Sequence, residues 1–342
     1  MITTHSPTNP GTGLFREASD AAAGSGFGAS HRVPKIGLAL SGGGARGLAH
    51  VGVLQVLERE GIPIAAVAGT SMGAYVGSLF AAGLGSSKLE ELAREIKDRR
   101  TLMRLLDPVF PPSAGLIRGE KIRKHLERSL GNVSFADLPI PVLVVATDLD
   151  KLCPYVFDSG SVAAAVHASA AIPGVCAPVR INGHRLTDGG AAEPLPITLL
   201  RERFPLDSVI AVNVLPTSAD ISSAIDLSFS PPKKPGLVGR FFHPINLMAH
   251  GNVMDTFRRS LMASMLRLVE KESRHAEVVI HPLFTESTWF DFENYERYIA
   301  AGRRAAEAAL PALRQLMEST QPRGESHHAA PSPTSILVNH AA

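Results

Sequence analysis

The sequence predicts an α/β fold: a layered, mostly parallel central sheet flanked by helices. Two observations support this class. Short apolar segments typical of buried strands, such as Ile36–Leu40 and Pro141–Asp148, alternate along the chain with segments of helical periodicity. Glycine-rich turns join strand to helix, first through Ser41–Gly47 (SGGGARG) into a helix predicted over Ala45–Glu60. The next strand, Ile64–Ala68, leads in the same way into a second predicted helix.

The chain is predicted to form one globular unit between two tails. Residues 1–34 and 319–342 are rich in small and polar residues, lack periodicity and are expected to be disordered. Residues 35–201 form the predicted core, and residues 202–318 form the C-terminal part of the same unit. A chain of 342 residues is long enough to bury a core of that size.

The composition argues against several classes of protein. With 34 basic and 32 acidic residues the net charge is +2, which speaks against nucleic-acid binding driven by bulk charge. Cys153 and Cys176 are the two cysteines, and they are expected to be free thiols in a reducing compartment. The sequence has no metal-binding motif, signal peptide or apolar run of about 18 residues. We therefore expect a cytoplasmic protein whose membrane contact is at most peripheral, at the inner membrane.

The glycine-rich segment Ser41–Gly47 leaves backbone amides uncovered by side chains at a predicted helix start, where a negative oxygen can bind. Its glycines also fit the dinucleotide pattern G-x-G-x-x-G. That fold needs an acid at the end of the second strand, where this chain has Gly69–Ser71. A phosphate-binding loop needs a lysine where Leu48 stands. The simplest alternative is a turn that lets a helix pack close to a strand.

A second turn, Gly69–Gly73 (GTSMG), matches the nucleophile-elbow pattern G-x-S-x-G between a strand and the helix predicted over Met72–Ala82. In such an elbow the hydroxyl of Ser71 is held out of the sheet on a strained turn, and side chains at Gly69 and Gly73 would crowd it. The elbow lies one crossover from the glycine-rich segment, which favours the anion-binding interpretation of that segment.

A serine hydroxyl is a poor nucleophile until a base takes its proton. Asp188, which follows a strand and precedes two glycines, is the better-marked acid, and Asp148, at the end of an apolar strand, is its rival. In a Ser-His-Asp arrangement the histidine would follow the acid in the chain, which makes His243, His250 and His281 the candidates. None of the three lies in a distinctive local motif. His167 and His184 fit that order poorly.

Residues 88–131 have a more charged character, with amphipathic helix candidates on either side of a proline-rich break. A charged helical insertion after an elbow can act as a lid over a substrate site. A solvated helical flank explains the same pattern.

Three motifs in this order resemble the patatin-like phospholipase family: Ser41–Gly47, Gly69–Gly73 and Asp188–Gly190 (DGG). The likeness is greatest to bacterial members and to the catalytic domain of neuropathy target esterase. It extends from about Lys35 to Leu200 and includes Ala146–Asp148 and Ala168–Gly174. One departure is Glu193, which stands before Pro194 where the family often has an asparagine.

The resemblance implies a Ser-Asp dyad, with Ser71 as the nucleophile and Asp188 as the base within hydrogen-bond reach. It also implies an oxyanion hole formed by the amides around Gly42, Gly43 and Gly44, with Arg46 nearby. The other motif positions are Gly47, Gly69, Gly73, Gly189 and Gly190.

The activity implied is that of a serine lipid acyl hydrolase of the phospholipase A or lysophospholipase type, acting through an acyl-enzyme without metal or cofactor. Its substrates would be phospholipids, lysophospholipids or other acyl lipids, and the oligomeric state is not predicted. Two alternatives stay open: a catalytically silent lipid-binding or regulatory protein of the same fold, and a Ser-His-Asp carboxylesterase.

Overall fold

The computed structural model describes residues 32–97, 107–108, 115–220, 253–284, 290–318 and 336–337. The predicted tails lie outside these residues, except for 32–34 and 336–337. Residues 221–252, which include the candidates His243 and His250, also lie outside them.

Within the described residues, nine strands form one mixed sheet in the order β5-β6-β3-β2-β1-β7-β8-β9, with β4 paired to β3. The strands are β1 (Ile36–Leu40), β2 (Ile64–Thr70), β3 (Val142–Asp148), β4 (Cys153–Phe157), β5 (Val179–Ile181), β6 (His184–Asp188), β7 (Ser208–Val212), β8 (Val278–Ile280) and β9 (Ile336–Leu337). The pairs from β3 through β2, β1, β7 and β8 to β9 are parallel, whereas β4, β5 and β6 join antiparallel. The predicted mostly parallel sheet is confirmed.

Helices cover the sheet. They are α1 (Ala49–Arg59), α2 (Met72–Ala81), α3 (Ser86–Glu95), α4 (Glu120–Leu130), α5 (Val162–Ser169), α6 (Ile197–Arg203), α7 (Val253–Ser273), α8 (Tyr295–Ala308) and α9 (Leu310–Glu318). Short 3₁₀ turns lie at Gly44–Leu48, Phe135–Asp137, Gly189–Ala191 and Phe292–Asn294. Helices α3 and α4 are the two charged helices expected within 88–131. No helix of the described ranges is long and apolar enough to cross a membrane.

Strand β1 is buried along its whole length because both faces of the sheet are covered. Leu38 and Leu40 join the core on one face, while Ala39 joins the core on the other. On the first face α8 packs closely on α1: a Cβ added at Gly302 would collide with the carbonyl oxygen of Ala49. These two packed layers fix the end of β1, from which the glycine-rich loop departs.

The structure differs from the sequence-based expectation in three elements. Strand β4 was not predicted, because Pro154 within it lacks an amide for the ladder and lowers the strand signal. The helix after the glycine-rich loop opens with the 3₁₀ turn Gly44–Leu48 rather than running directly from Ala45. The sequence pattern predicts one helix over Glu293–Met317, whereas the structure has two helices there, α8 and α9.

Candidate active site

Ser71 occupies the turn between β2 and α2, with φ 53° and ψ −118°. A non-glycine residue rarely adopts this conformation, so the backbone is strained as expected for an elbow. A Cβ added at Gly69 would lie 2.5 Å from the carbonyl oxygen of Gly73, and one at Gly73 would collide with the carbonyl oxygen of Leu40. Both glycines therefore allow the elbow to pack against α2 and the end of β1.

Asp188 ends β6 and caps the 3₁₀ turn Gly189–Ala191. Its Oδ2 accepts a hydrogen bond from Ser71 Oγ at 2.6 Å, and its Oδ1 accepts one from the Gly190 amide at 2.7 Å. The predicted contact between serine and aspartate is present. Burial raises the pKa of Asp188 to about 6, against the opposing effect of the hydrogen bonds from Ser71 and Gly190.

The backbone around Asp188 is held on both sides. Its carbonyl accepts a hydrogen bond from Thr147 Oγ1 at 2.8 Å, and its amide donates to the Ala171 carbonyl at 2.8 Å. A Cβ added at Gly189 would collide with the carbonyl oxygen of Val145. The acid turn therefore packs directly on the C-terminal half of β3.

The glycine-rich loop lies against the nucleophile, since a Cβ added at Gly42 would be 3.4 Å from Ser71 Cβ. The Gly42 amide is engaged, because it donates to the Pro194 carbonyl at 3.0 Å. The amides of Gly43 and Gly44 make no hydrogen bond to the described residues. Among the predicted oxyanion donors, these two amides are the ones available to a ligand.

His50, in the first turn of α1, supports this loop and was not singled out from the sequence. Its side chain is fully buried, and its Nε2 lies 2.9 Å from the Ser41 carbonyl oxygen. Burial lowers the pKa of His50 to about 4, although the hydrogen bond to Ser41 opposes the shift. The neutral ring therefore donates from Nε2. The peptide between Ser41 and Gly42 is thus held by His50 at its carbonyl and by Pro194 at its amide.

The remaining motif residues line the same region. Arg46 is partly exposed within the 3₁₀ turn Gly44–Leu48. A Cβ added at Gly47 would lie 2.6 Å from Met72 Cβ, so this glycine lets the turn approach the residue after the nucleophile. At Gly190, an added Cβ would lie 2.7 Å from Met265 Cε, which brings α7 next to the acid turn.

The alternative acid, Asp148, and the described candidate histidines have hydrogen-bond partners outside the Ser71–Asp188 pair. Asp148 Oδ2 lies 2.7 Å from His184 Nδ1, and its Oδ1 accepts hydrogen bonds from two amides of the following turn. The Nε2 of His167 lies 3.1 Å from the Arg118 carbonyl, and His281 contacts Asn213 and Asp220. None of these histidines, within the described part of the chain, bonds to Ser71 or Asp188.

A metal site has no support in the described ranges, where no group of three or more His, Cys, Asp or Glu side chains is close enough to hold an ion. The Ser71 hydroxyl meets the Asp188 carboxylate, its backbone amide meets the Ser169 hydroxyl, and the glycine-rich loop lies beside it. A hydroxyl bonded to a carboxylate next to loop amides suits a reaction that develops negative charge on an oxygen.

The fold and the site together define a class of protein: an α/β protein in which an elbow serine faces a buried aspartate turn beside a glycine-rich loop. Residues 38–201 match the family described as patatin-like phospholipase. The family resemblance inferred from the sequence motifs is therefore confirmed, and the family is one of lipid ester hydrolases.

Two relatives are similar to this chain over about half of its length. The chain is 46% identical over 166 residues to an uncharacterized NTE family protein of Mycobacterium tuberculosis, covering 48% of this chain and 45% of that protein. It is 33% identical over 183 residues to neuropathy target esterase sws of Drosophila melanogaster, covering 52% of this chain and 13% of that protein. The chain thus spans less than half the length of these relatives.

Among solved structures, VipD from Legionella pneumophila is similar with a TM-score of 0.45 and 15% identity. That similarity covers 83% of this chain and 67% of VipD.

Proposed function

We propose that the chain is a serine lipid acyl hydrolase of the phospholipase A or lysophospholipase type, with Ser71 and Asp188 as a catalytic dyad. The observation that carries this proposal is the 2.6 Å hydrogen bond from Ser71 Oγ to the buried carboxylate of Asp188. The elbow conformation of Ser71 and the family match support it.

The first half-reaction is acylation. Ser71 Oγ attacks the carbonyl carbon of a fatty-acyl ester while Asp188 Oδ2 accepts the hydroxyl proton. The tetrahedral intermediate then collapses, and the protonated Asp188 gives its proton to the leaving alcohol. A base with a pKa of about 6 is mostly ionised at neutral pH, yet binds a proton more readily than an ordinary aspartate.

The glycine-rich loop stabilises the negative oxygen of the intermediate. In this proposal the donors are the amides of Gly43 and Gly44, since that of Gly42 is already bonded to Pro194. A single such donor contributes about 3 kcal/mol to transition-state stabilisation. The paired contacts at Ser41 and Gly42 hold the loop in place, so little reorganisation accompanies the development of charge.

The second half-reaction is deacylation. Asp188 accepts a proton from water, which attacks the acyl carbonyl; Ser71 Oγ leaves and regains the proton as the fatty acid is released. Neither step needs a metal or a cofactor. The substrate is an acyl lipid presented at a membrane surface or as a micelle, which the chain would meet as a cytoplasmic, peripherally associated enzyme.

A Ser-His-Asp esterase is disfavoured because Asp188, rather than a described histidine, bonds the nucleophile. A catalytically silent protein would not need a strained serine paired with a carboxylate of raised pKa.

The test combines labelling with hydrolysis. Wild-type protein and Ser71→Ala are treated with a fluorophosphonate probe and assayed for fatty-acid release from phosphatidylcholine and lysophosphatidylcholine, with and without a chelator. We expect covalent labelling and chelator-insensitive release by the wild type alone. A wild type that neither reacts nor hydrolyses, or equal labelling of Ser71→Ala, would overturn the proposal.

A further inference from the structure

Ser169 is a buried hydroxyl beside the nucleophile, at the C-terminal end of α5. The backbone amide of Ser71 donates to Ser169 Oγ at 2.8 Å. Ser71 precedes the first residue of α2, so its amide is not part of the hydrogen-bond pattern of that helix. The hydroxyl of Ser169 is therefore the group that satisfies the backbone of the strained elbow.

A second hydrogen bond orients the hydroxyl of Ser169. Ser169 Oγ donates its proton to the Val145 carbonyl at 2.5 Å, which leaves its lone pairs to accept the Ser71 amide. Val145 belongs to β3, and its carbonyl is also the atom against which Gly189 packs. One carbonyl in the middle of β3 thus contacts both the residue that holds the nucleophile and the turn that carries the base.

The segment after Ser169 also forms hydrogen bonds with the strand end that carries Asp188. The Ala171 carbonyl accepts hydrogen bonds from the Asp188 amide at 2.8 Å and from Thr187 Oγ1 at 2.6 Å. Ser169 and Ala171, two residues apart, therefore contact the segments on each side of the Ser71–Asp188 hydrogen bond.

We propose that Ser169 is a positioning residue that holds the elbow of Ser71 in register with Asp188; this role rests on the dyad proposed above. The strained conformation of Ser71 persists only while its surroundings enforce it. Removal of the Ser169 hydroxyl lets the elbow relax and moves Ser71 Oγ away from Asp188 Oδ2. Because a displacement of about 1 Å at a reacting group can cost 100-fold in rate, the loss is expected in kcat.

The variants are Ser169→Ala and a matched control, Ser78→Ala. Alanine and serine have nearly the same volume, so neither change opens a cavity. Ser78 is a fully buried serine of α2 whose hydroxyl has no hydrogen-bond partner among the residues that the structure describes. Its removal reports the effect of deleting a buried hydroxyl that does not touch the dyad. Ser169→Cys, which keeps only a weak hydrogen-bonding group, is the second variant should the first fail to fold.

Two kinetic readouts separate positioning from a general structural role. We expect Ser169→Ala to lower kcat by about 100-fold with KM little changed, and Ser78→Ala to retain wild-type kinetics. The pH midpoint of fluorophosphonate inactivation should also rise in Ser169→Ala, because the hydrogen bond from Ser71 lowers the pKa of Asp188. Equal kinetics and midpoints in the two variants would overturn the proposal.

A crystal structure of Ser169→Ala keeps the inference testable apart from the activity. We expect the Ser71 Oγ to Asp188 Oδ2 separation to exceed about 3.5 Å. An unchanged separation would overturn the positioning role even if the wild type proved inactive. An inactive wild type in which Ser169→Ala lengthens that distance would overturn the proposed function and support the positioning role.

Discussion

Asp148 and Asp188 are both buried aspartates at the C-terminal ends of neighbouring antiparallel strands, yet their surroundings give them opposite properties. Burial acts to raise the pKa of each. At Asp148 this effect is outweighed by hydrogen bonds from the amides of Asp150 and Lys151 and from His184, so its pKa lies below the usual value. At Asp188 the hydrogen bonds from Ser71 and Gly190 do not offset burial, so its pKa rises to about 6.

The difference lies in how many donors each carboxylate has. Asp148 is fixed as an anion that organises the turn after β3, and a proton arriving there would break several hydrogen bonds. Asp188 has one amide donor and one hydroxyl donor, and the hydroxyl is the group whose proton it would accept. In this fold a buried aspartate becomes a candidate base when it is bonded to a nucleophile and left short of other donors.

The largest expected difference between the two aspartates appears when each is neutralised in turn. Asp188→Asn should lower kcat by about 10³-fold, because an amide cannot accept the Ser71 proton. Asp148→Asn should retain activity and lower the thermal unfolding temperature, because its turn loses charge-assisted hydrogen bonds. Fatty-acid release and calorimetry on both variants check this. Full activity in Asp188→Asn would assign the base elsewhere.

A second comparison is between the glycine of the acid turn, Gly189, and the glycine of the hairpin turn between β5 and β6, Gly183. Gly189→Ala should destabilise the fold by about 3 kcal/mol, since the added Cβ collides with the Val145 carbonyl. Gly183, in the hairpin beside His184, has φ 84° and open space around it, so Gly183→Ala should cost only about 1 kcal/mol. Denaturant unfolding measures both, and equal losses would contradict the tight packing inferred for the acid turn.

Glu193 extends the comparison to a third acid with a smaller expected effect. Burial and the charge of Glu272 raise its pKa to about 8, and its Oε1 is buried with no hydrogen-bond partner in the described part of the chain. The unfolded chain has the lower pKa, so stability from the protonated form is fully present below about pH 4.5 and is lost as pH rises through 8.

Glu193→Gln should therefore be more stable than the wild type at pH 9, with a free energy of unfolding higher by about 1 kcal/mol. Near pH 5 the two proteins should have the same stability. Glu202→Gln, on the exposed side of α6, is the control and should leave the pH dependence unchanged. If the free energy of unfolding of the wild type does not change between pH 5 and 9, burial does not raise the pKa of Glu193.

Much of the site was predictable because its chemistry depends on local sequence. The elbow, its two glycines and the acid turn each lie within a few residues, and the glycines are needed where the backbone packs closely. The hydrogen bond between Ser71 and Asp188 joins distant parts of the chain. It was inferred through the family resemblance rather than through spacing.

The parts that were missed depend on tertiary contacts. Ser169 lies in a run of small residues, and nothing local indicates that its hydroxyl meets the Ser71 amide. The engagement of the Gly42 amide by Pro194 likewise joins segments more than 150 residues apart. His50 left a weak signal, a single histidine within an otherwise apolar stretch of α1.

The central claim is that Asp188 is the base for Ser71, and the pH dependence of Ser71 labelling tests it most directly. The rate of fluorophosphonate inactivation is measured between pH 4.5 and 9 for the wild type, Asp188→Asn and His281→Ala. We predict a wild-type rate that rises with pH around a midpoint of about 6, the same midpoint in His281→Ala, and a slow, pH-independent rate in Asp188→Asn. A midpoint that survives Asp188→Asn, or is lost in His281→Ala, would contradict the account.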